Sequence, residues 1–354
     1  MRTLDQEAAK LAAFDAAHAL DGRAVSLPAG TRLLQIAAMP LDALAPPDLD
    51  HLGCAALPLA QACPCCLAAL AAVCRAELVA DPGHTGLVGT KEEQMDFETL
   101  TFDIDGVHTA IKAIGKGPAV LALHGAATFE GYQWAKGLAD RFRVYLPYHP
   151  GFGESGPAPH LTGMQDMVVH NLRLVTALGL DKPHLVGHSM GGWMAAEMAA
   201  VAGERFNRLV LNAPAGLNHP DHPGANVTSI APQDFPSYLA HNVEVALRYF
   251  PGGSEAPPPD QFAAAREKEG AALGNILKVH GMGNPNLGRW LSRIPNETLI
   301  VWGEKDRLLP SSQAKIWAER IPKAKVQIIP GVGHIAMQED PKTVTLIGDF
   351  LAGK

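Results

Sequence analysis

Gly187-His188-Ser189-Met190-Gly191 sets a serine between two glycines. An apolar stretch, residues 183–186, precedes it, and an Ala/Met-rich helical stretch begins near Trp193. Such a strand-to-helix turn forces its central residue into strained backbone geometry and requires small flanking residues. The hydroxyl then stands free above the sheet beside helix N-terminal amides. A serine placed this way is a candidate nucleophile.

A serine hydroxyl needs a base, and the base needs an acid to fix its tautomer and stabilise its charged form. His334 lies in the glycine-flanked run Gly331-Val332-Gly333-His334, directly after an apolar stretch ending at Pro330. Asp306 lies in Trp302-Gly303-Glu304-Lys305-Asp306, a few residues past another such stretch, 298–301. Both therefore belong at carboxyl ends of strands, the edge expected for Ser189, in the chain order Ser, Asp, His. Each residue alone has an ordinary reading as a loop or core residue; three in this order, each after its own strand, do not. His124-Gly125-Ala126-Ala127 supplies a fourth element after residues 119–123. A tetrahedral oxyanion needs two aimed N–H donors, and the amides of Ala126 and Met190 are the candidates. A plain turn with Gly125 at positive φ is the competing reading. His188, Phe129 and Trp193 are candidate substrate contacts, although aromatic residues at helical spacing also serve a core. The turn Gly151-Phe152-Gly153 reverses the chain, with Glu154 and Ser155 expected at the start of a helix.

These residues need a scaffold, and the chain from Met95 onward alternates strand and helix signals. Strands are expected at 99–104, 107–114, 119–123, 143–146, 183–186, 208–211, 298–301 and 326–329, the first two as a hairpin turning at Asp105-Gly106. Helices are expected at 134–141, 164–178, after Trp193, at 312–320 and at 343–351. This is an α/β fold, a mostly parallel sheet flanked by helices, with ligands beyond the strands' carboxyl ends. Residues 218–293 break the rhythm with Pro251-Gly252-Gly253 and Pro257-Pro258-Pro259 and are too long for a loop. They read as an inserted helical cap forming one wall of a pocket.

Residues 1–94 differ from the rest, being rich in Ala, Leu, Pro and Cys. Short helices at 6–20 and 67–78 suit the apolar spacing. The segment is either an N-terminal extension of unknown role or sequence upstream of a true start at Met95. All 5 cysteines fall there, an odd count that suits a disulfide framework poorly. Unselected thiols are favoured over a metal site, with His51 the nearby imidazole.

The 354 residues are 47% hydrophobic and 18% charged, enough for a sizeable core. A formal charge of -7 without a basic cluster argues against a nucleic-acid or anionic-membrane surface. No apolar stretch has transmembrane length and no signal segment is evident, so a cytoplasmic protein acting on a small molecule is expected. The sequence leaves its oligomeric state open.

From about Met95 to Lys354 the chain resembles the α/β-hydrolase superfamily, on Leu123-His124-Gly125, Pro150 to Ser155, Gly187 to Gly192, and Gly303 to Asp306 with Gly333-His334. It is most similar to the single-cap branch holding small-molecule esterases, meta-cleavage-product (C–C) hydrolases, epoxide hydrolases and dehalogenases. The resemblance implies Ser189 as nucleophile, Asp306 as acid, His334 as base, Ala126 and Met190 as oxyanion donors, and no metal or organic cofactor. Epoxide hydrolases and haloalkane dehalogenases of this branch carry aspartate where Ser189 stands, which argues against both. Ala126-Ala127-Thr128 departs from the Gly-Pro-Gly-like turn of many C–C hydrolases. The expectation is a serine hydrolase of a small carboxylic ester or thioester. Its alternatives are C–C hydrolysis of a dienoate, which needs a cap cation such as Arg248, Arg289 or Arg293, a cofactor-free perhydrolase, and a non-catalytic receptor.

Overall fold

The computed structural model describes residues 96–354 apart from His280. The expected helices at 6–20 and 67–78, the cysteines and Met95 lie outside the described residues. β1 (Glu98–Ile104) and β2 (Val107–Ile114) form the expected hairpin, with Asp105 and Gly106 both at positive φ. That turn type matches the twist of the strands it joins. β3 (Ala119–Leu123), β4 (Arg143–Pro147), β5 (His184–His188), β6 (Leu209–Asn212), β7 (Thr298–Gly303) and β8 (Ala324–Ile329) follow. The sheet runs β1-β2-β4-β3-β5-β6-β7-β8. β2 pairs antiparallel with β1 and β4; every later pairing is parallel.

Parallel strands point their carboxyl ends to one edge, which puts the turns after β3, β5, β7 and β8 together. The strands alternate strictly between two cores. Leu121, Leu185, Leu209, Leu211, Ile300 and Trp302 face one apolar layer; Val120, Val186, Val210, Leu299 and Val301 face the other. Sheets buried on both faces require such continuous apolar runs. Each fully buried Leu or Val side chain stabilises the fold by about 1.5–3 kcal/mol.

On the first face lie α1 (Met164–Ala177) and α2 (Met190–Ala202). α2 is buried around nearly its whole circumference, so its sequence carries no polar stripe. The helix begins at Met190, directly after the serine, three residues earlier than expected. On the second face, the residues expected to form a helix at 134–141 make a short 3-10 segment, Gln133–Leu138. Gly137 weakens an α-helix there and lets the chain press on Val344, whose Cγ1 would lie 2.9 Å from an added Cβ. Glu154 and Ser155 sit in a turn and not a helix start, because the Ser155 hydroxyl donates to Tyr148 O (2.7 Å) and accepts from Ala110 N (2.9 Å).

The inserted region is built from short helices, α3 (Phe235–Leu239) and α4 (Val243–Leu247), a long one, α5 (Pro259–Ile276), and α6 (Leu287–Trp290). After it, α7 (Gln313–Arg320), α8 (Ala336–Glu339) and α9 (Pro341–Leu351) complete the layers. Asp340 caps α9 by accepting from Lys342 N (3.0 Å), with Pro341 at the first helical position. No helix among the described residues is long and apolar enough to cross a membrane.

Candidate active site

Ser189 occupies φ 53, ψ -117, a strained conformation for a residue with a side chain. Three backbone hydrogen bonds hold it: Ser189 N donates to Asn212 O (2.9 Å), and Ser189 O accepts from Trp193 N (3.0 Å) and Ala215 N (3.0 Å). The turn is as tight as its glycines permit. A Cβ on Gly187 would lie 2.3 Å from Gly191 O, and one on Gly191 2.3 Å from Leu123 O. Ser189 itself is half-buried, directly beside the first amides of α2.

His334 follows β8 and Asp306 follows β7, as the sequence requires. His334 Nδ1 donates to Asp306 Oδ2 at 2.8 Å. The other carboxylate oxygen, Oδ1, accepts from Leu308 N and Leu309 N, both at 2.9 Å. With three acceptor positions filled, the acid is fixed in orientation, and the imidazole is fixed with its Nε2 edge free of Asp306. The His334 ring lies 4.8 Å from that of His188, the residue before the serine. Both rings are buried.

The turn after β3 reaches the same place. A Cβ on Gly125 would lie 3.3 Å from Ser189 Cβ and 3.4 Å from His188 Cδ2. Gly125 is not among the positive-φ glycines, so it serves close approach and not an inverted turn. Ala126 follows it, half-buried, and Met190 opens α2. His124 Nδ1 donates to Gly125 O (2.8 Å), while its Nε2 accepts from His149 N (3.0 Å); His149 Nε2 returns a bond to His124 O (3.0 Å). The two ring centroids lie 3.8 Å apart with the rings tilted by 36°, and the pair braces the turn. Burial, and then the neighbouring His149, push the His124 imidazole well below its usual range; burial lowers His149 to about 4.

The three expected substrate contacts separate. His188 lies at the site; Asn212 Nδ2 donates to its Nδ1 at 2.9 Å, and burial, followed by the neighbouring His334, pushes its imidazole well below the usual range. Phe129 lies in a mostly cap-derived apolar cluster with Leu239, Tyr249, Phe250, Leu308 and Ile335. That cluster adjoins all three loops, because Phe129 follows Ala126, Leu308 follows Asp306 and Ile335 follows His334. Trp193 belongs to the core: it is 1% exposed, Gly216 packs on its ring, and Nε1 donates to Glu197 Oε1 at 2.6 Å. A helix buried on all sides has no face left for a pocket.

Sequence reasoning missed three residues. Asn212 sits at the end of β6, in a run with no motif. Glu130 is buried on the turn after β3, and burial raises its carboxyl to about 7, against its own backbone amide and the neighbouring Arg266 and His334, which pull the other way. Arg266 of α5 lies over the Phe129 ring, 5.0 Å from its centroid. Both cap arginines are ion-paired, Arg266 with Glu269 and Arg248 with Glu255 at 3.4 Å. Among the described residues no group of three or more His, Cys, Asp or Glu is arranged to hold a metal ion.

A family model described as "Alpha/beta hydrolase family" matches residues 120–345. The chain is 30% identical over 267 residues to 2-hydroxy-6-oxo-6-phenylhexa-2,4-dienoate hydrolase of Burkholderia cepacia, covering 67% of this chain and 89% of that one. It is 27% identical over 246 residues to the dihydrolipoyllysine-residue acetyltransferase component of the acetoin cleaving system of Cupriavidus necator. That match takes in 67% of this chain but 64% of the relative, so the chain spans less than two thirds of that protein's length. Among solved structures, a bacterial membrane phospholipase A superposes with a TM-score of 0.64 at 23% identity, covering 73% of this chain and 86% of that one. At that identity the likeness speaks for the fold.

Proposed function

Because the chain belongs to the alpha/beta hydrolase family and is an enzyme of the hydrolase class, we propose that it cleaves a small carboxylic ester or thioester through an acyl-enzyme on Ser189. The observation that carries this reading is the 2.8 Å bond from His334 Nδ1 to an Asp306 already held by two amides. An imidazole pinned this way has its remaining nitrogen as a base. His334 Nε2 takes the Ser189 proton while Oγ bonds to the acyl carbon, and the carbonyl electron pair moves onto oxygen. The amides of Ala126 and Met190 receive that oxyanion, at positions beside the serine on the β3 turn and the first turn of α2. Collapse expels the alcohol or thiol, protonated by the His334 imidazolium. Water, deprotonated by the same histidine, then attacks the acyl carbon and releases the acid and free Ser189. Asp306 stabilises the imidazolium in both halves and keeps its own charge.

Ser189→Ala removes the bond-forming atom and leaves the fold. Turnover of p-nitrophenyl acetate and labelling by a fluorophosphonate probe should both vanish; turnover retained at the wild-type rate refutes the mechanism.

A second reading, C–C hydrolysis of a dienoate, is favoured by the Burkholderia cepacia relative and by one local feature. Arg266, although paired with Glu269, brings a guanidinium to the cap face at Phe129, where a substrate carboxylate would need a cation. The same serine, histidine and oxyanion donors serve that reaction. Loss of the visible absorbance of a yellow meta-cleavage product, with p-nitrophenyl acetate turned over poorly, selects this reading over the first.

A further inference from the structure

α5 crosses the turns after β3 and β4, and two consecutive residues on it grip both. Glu269 is 1% exposed. Its Oε2 accepts from Thr128 N at 3.2 Å, and its Oε1 accepts from the Thr128 hydroxyl and from Gly153 N at 3.2 Å. Arg266 Nη2 pairs with Oε2 one helical turn earlier. Lys268 Nζ donates to Gly153 O at 2.8 Å and to Ser155 O at 2.9 Å. One side chain thus takes up N–H groups and the next takes up carbonyls. The β4 turn is shaped for the contact: Gly153 has φ +47, and a Cβ on Gly151 would lie 2.6 Å from Ala272 Cβ.

A buried carboxylate loses its hydration and is stable only when hydrogen bonds and a counter-charge replace it. Its hydrogen-bond donors exist only while the cap lies on the body, because Thr128 and Gly153 belong to the body, whereas the Arg266 counter-charge lies on the same helix. Thr128 stands two residues after Ala126 and one before Phe129. An amide that stabilises an oxyanion must be aimed before the reaction begins, and a two-residue lever from Thr128 fixes that aim.

We propose that Glu269 is a positioning residue through which docking of the cap sets the β3 turn, so that covering the substrate and aiming the Ala126 amide are a single event. The proposal rests on the acyl-enzyme reading above. Glu269 touches no reacting atom; its effect passes through Thr128. A closed cap and a competent oxyanion hole are then one state, as in enzymes where closure completes the catalytic constellation. An open cap leaves Ser189 and His334 present but the acceptor for the developing charge misaligned.

The test compares wild type with Glu269→Ala, Glu269→Gln and Thr128→Val on p-nitrophenyl acetate. It also measures inhibition by an aryl trifluoromethyl ketone, whose serine adduct carries an oxyanion. Misplacement of a catalytic group by about 1 Å costs on the order of 100-fold. Glu269→Ala should therefore lower kcat by about 10- to 100-fold and weaken the ketone by a similar factor, with KM within about two-fold. Glu269→Gln retains one acceptor oxygen and should recover part of both losses. Thr128→Val removes one donor from the body side and should reproduce a part of the defect. It decides the matter with Glu269→Gln if Glu269→Ala fails to fold. Unchanged kcat and unchanged ketone affinity, or a rise in KM alone, overturns the proposal, because the residue then only fastens the cap. Wild-type protein that neither hydrolyses the ester nor labels with fluorophosphonate instead overturns the acyl-enzyme reading itself.

Discussion

Gly303→Ala is the sharpest perturbation of the His334–Asp306 pair that leaves both side chains present. Gly303 ends β7, three residues before Asp306, and it faces the loop that carries His334. A Cβ at this position would lie 2.0 Å from Gly333 O and 2.4 Å from Val332 O, against a floor of 3.0 Å for real contacts. Both obstacles are backbone, so no side chain can rotate away. The two strand ends must separate by about 1 Å, the difference between 2.0 and 3.0 Å. Lys305 N to Val332 O (2.8 Å) and Glu304 N to Ile329 O (2.9 Å) resist that movement, so strain falls on the neighbouring contacts. The His334–Asp306 bond at 2.8 Å is one of them, and adding 1 Å takes it beyond hydrogen-bond reach. Overpacking of this kind costs about 1–3 kcal/mol of stability, which a domain of this size tolerates. Loss of the histidine's orientation should lower kcat/KM on an aryl ester by about 100-fold. The assay pairs that measurement with proton NMR of the downfield Nδ1–H signal of His334, which should move or vanish. Gly274→Ala is the control: it lies in α5 with nothing within 4 Å of an added Cβ and should leave activity unchanged. A folded Gly303→Ala protein with wild-type kcat/KM and an unmoved resonance refutes the claim that this glycine sets the pair's spacing.

Two further predictions concern pH. The buried His149 has its imidazole lowered from 6.5 to about 4, so its neutral form stabilises the fold above 6.5 and that contribution is lost as pH falls through 4. At 1.36 kcal/mol per pH unit this is about 3 kcal/mol. In urea titrations, His149→Asn should flatten the decline in stability between pH 6.5 and 4 by that order; an identical slope in the variant counts against it. Glu130 works in the opposite sense, since burial raises it from 4.5 to about 7. Below 4.5 it is protonated folded and unfolded alike; as pH rises through 7 the folded state must bury a charge, at a cost of about 3 kcal/mol. Glu130→Gln should gain stability relative to wild type at pH 8 and little at pH 4.5, and a gain equal at both pH values refutes it.

The sheet was readable because its strands obey a strong local rule. β5, β6 and β7 are buried on both faces; β6 and β7 are therefore apolar runs bounded by polar or glycine residues, and β5 carries Leu185-Val186 before its glycine. β8, at the sheet edge, was legible from the apolar Val326, Ile328 and Ile329, although only Ile329 of these is buried. The 133–138 segment shows where local reading ends. Its Trp134 and Leu138 have helical spacing, but Gly137 against Val344, a contact between residues far apart in sequence, decides the geometry. The cap is harder still. Helices of five residues such as α3 and α4 are too short for a period to show, and their stability comes from the cluster around Tyr249 and Ile335.

The same division runs through the site. Ser189, Asp306 and His334 each sit at a strand's end, where glycine, strand and polar residue lie within a few positions of one another. Short-range chemistry therefore writes itself as a motif. Glu269 has no such mark: it is one of the charges in Arg266-Glu267-Lys268-Glu269, and nothing local tells the buried carboxylate from the exposed ones. Only Thr128 and Gly153, more than a hundred positions away, select it. Arg266 and Glu130 escape notice for the same reason, their partners being tertiary. What places Ser189, Asp306 and His334 is thus encoded locally, whereas what holds the β3 turn is encoded in how one helix lies across two turns. Substitutions at strand ends and at Glu269 should then lower the rate for every ester alike, since both act on the turns that carry the reacting groups.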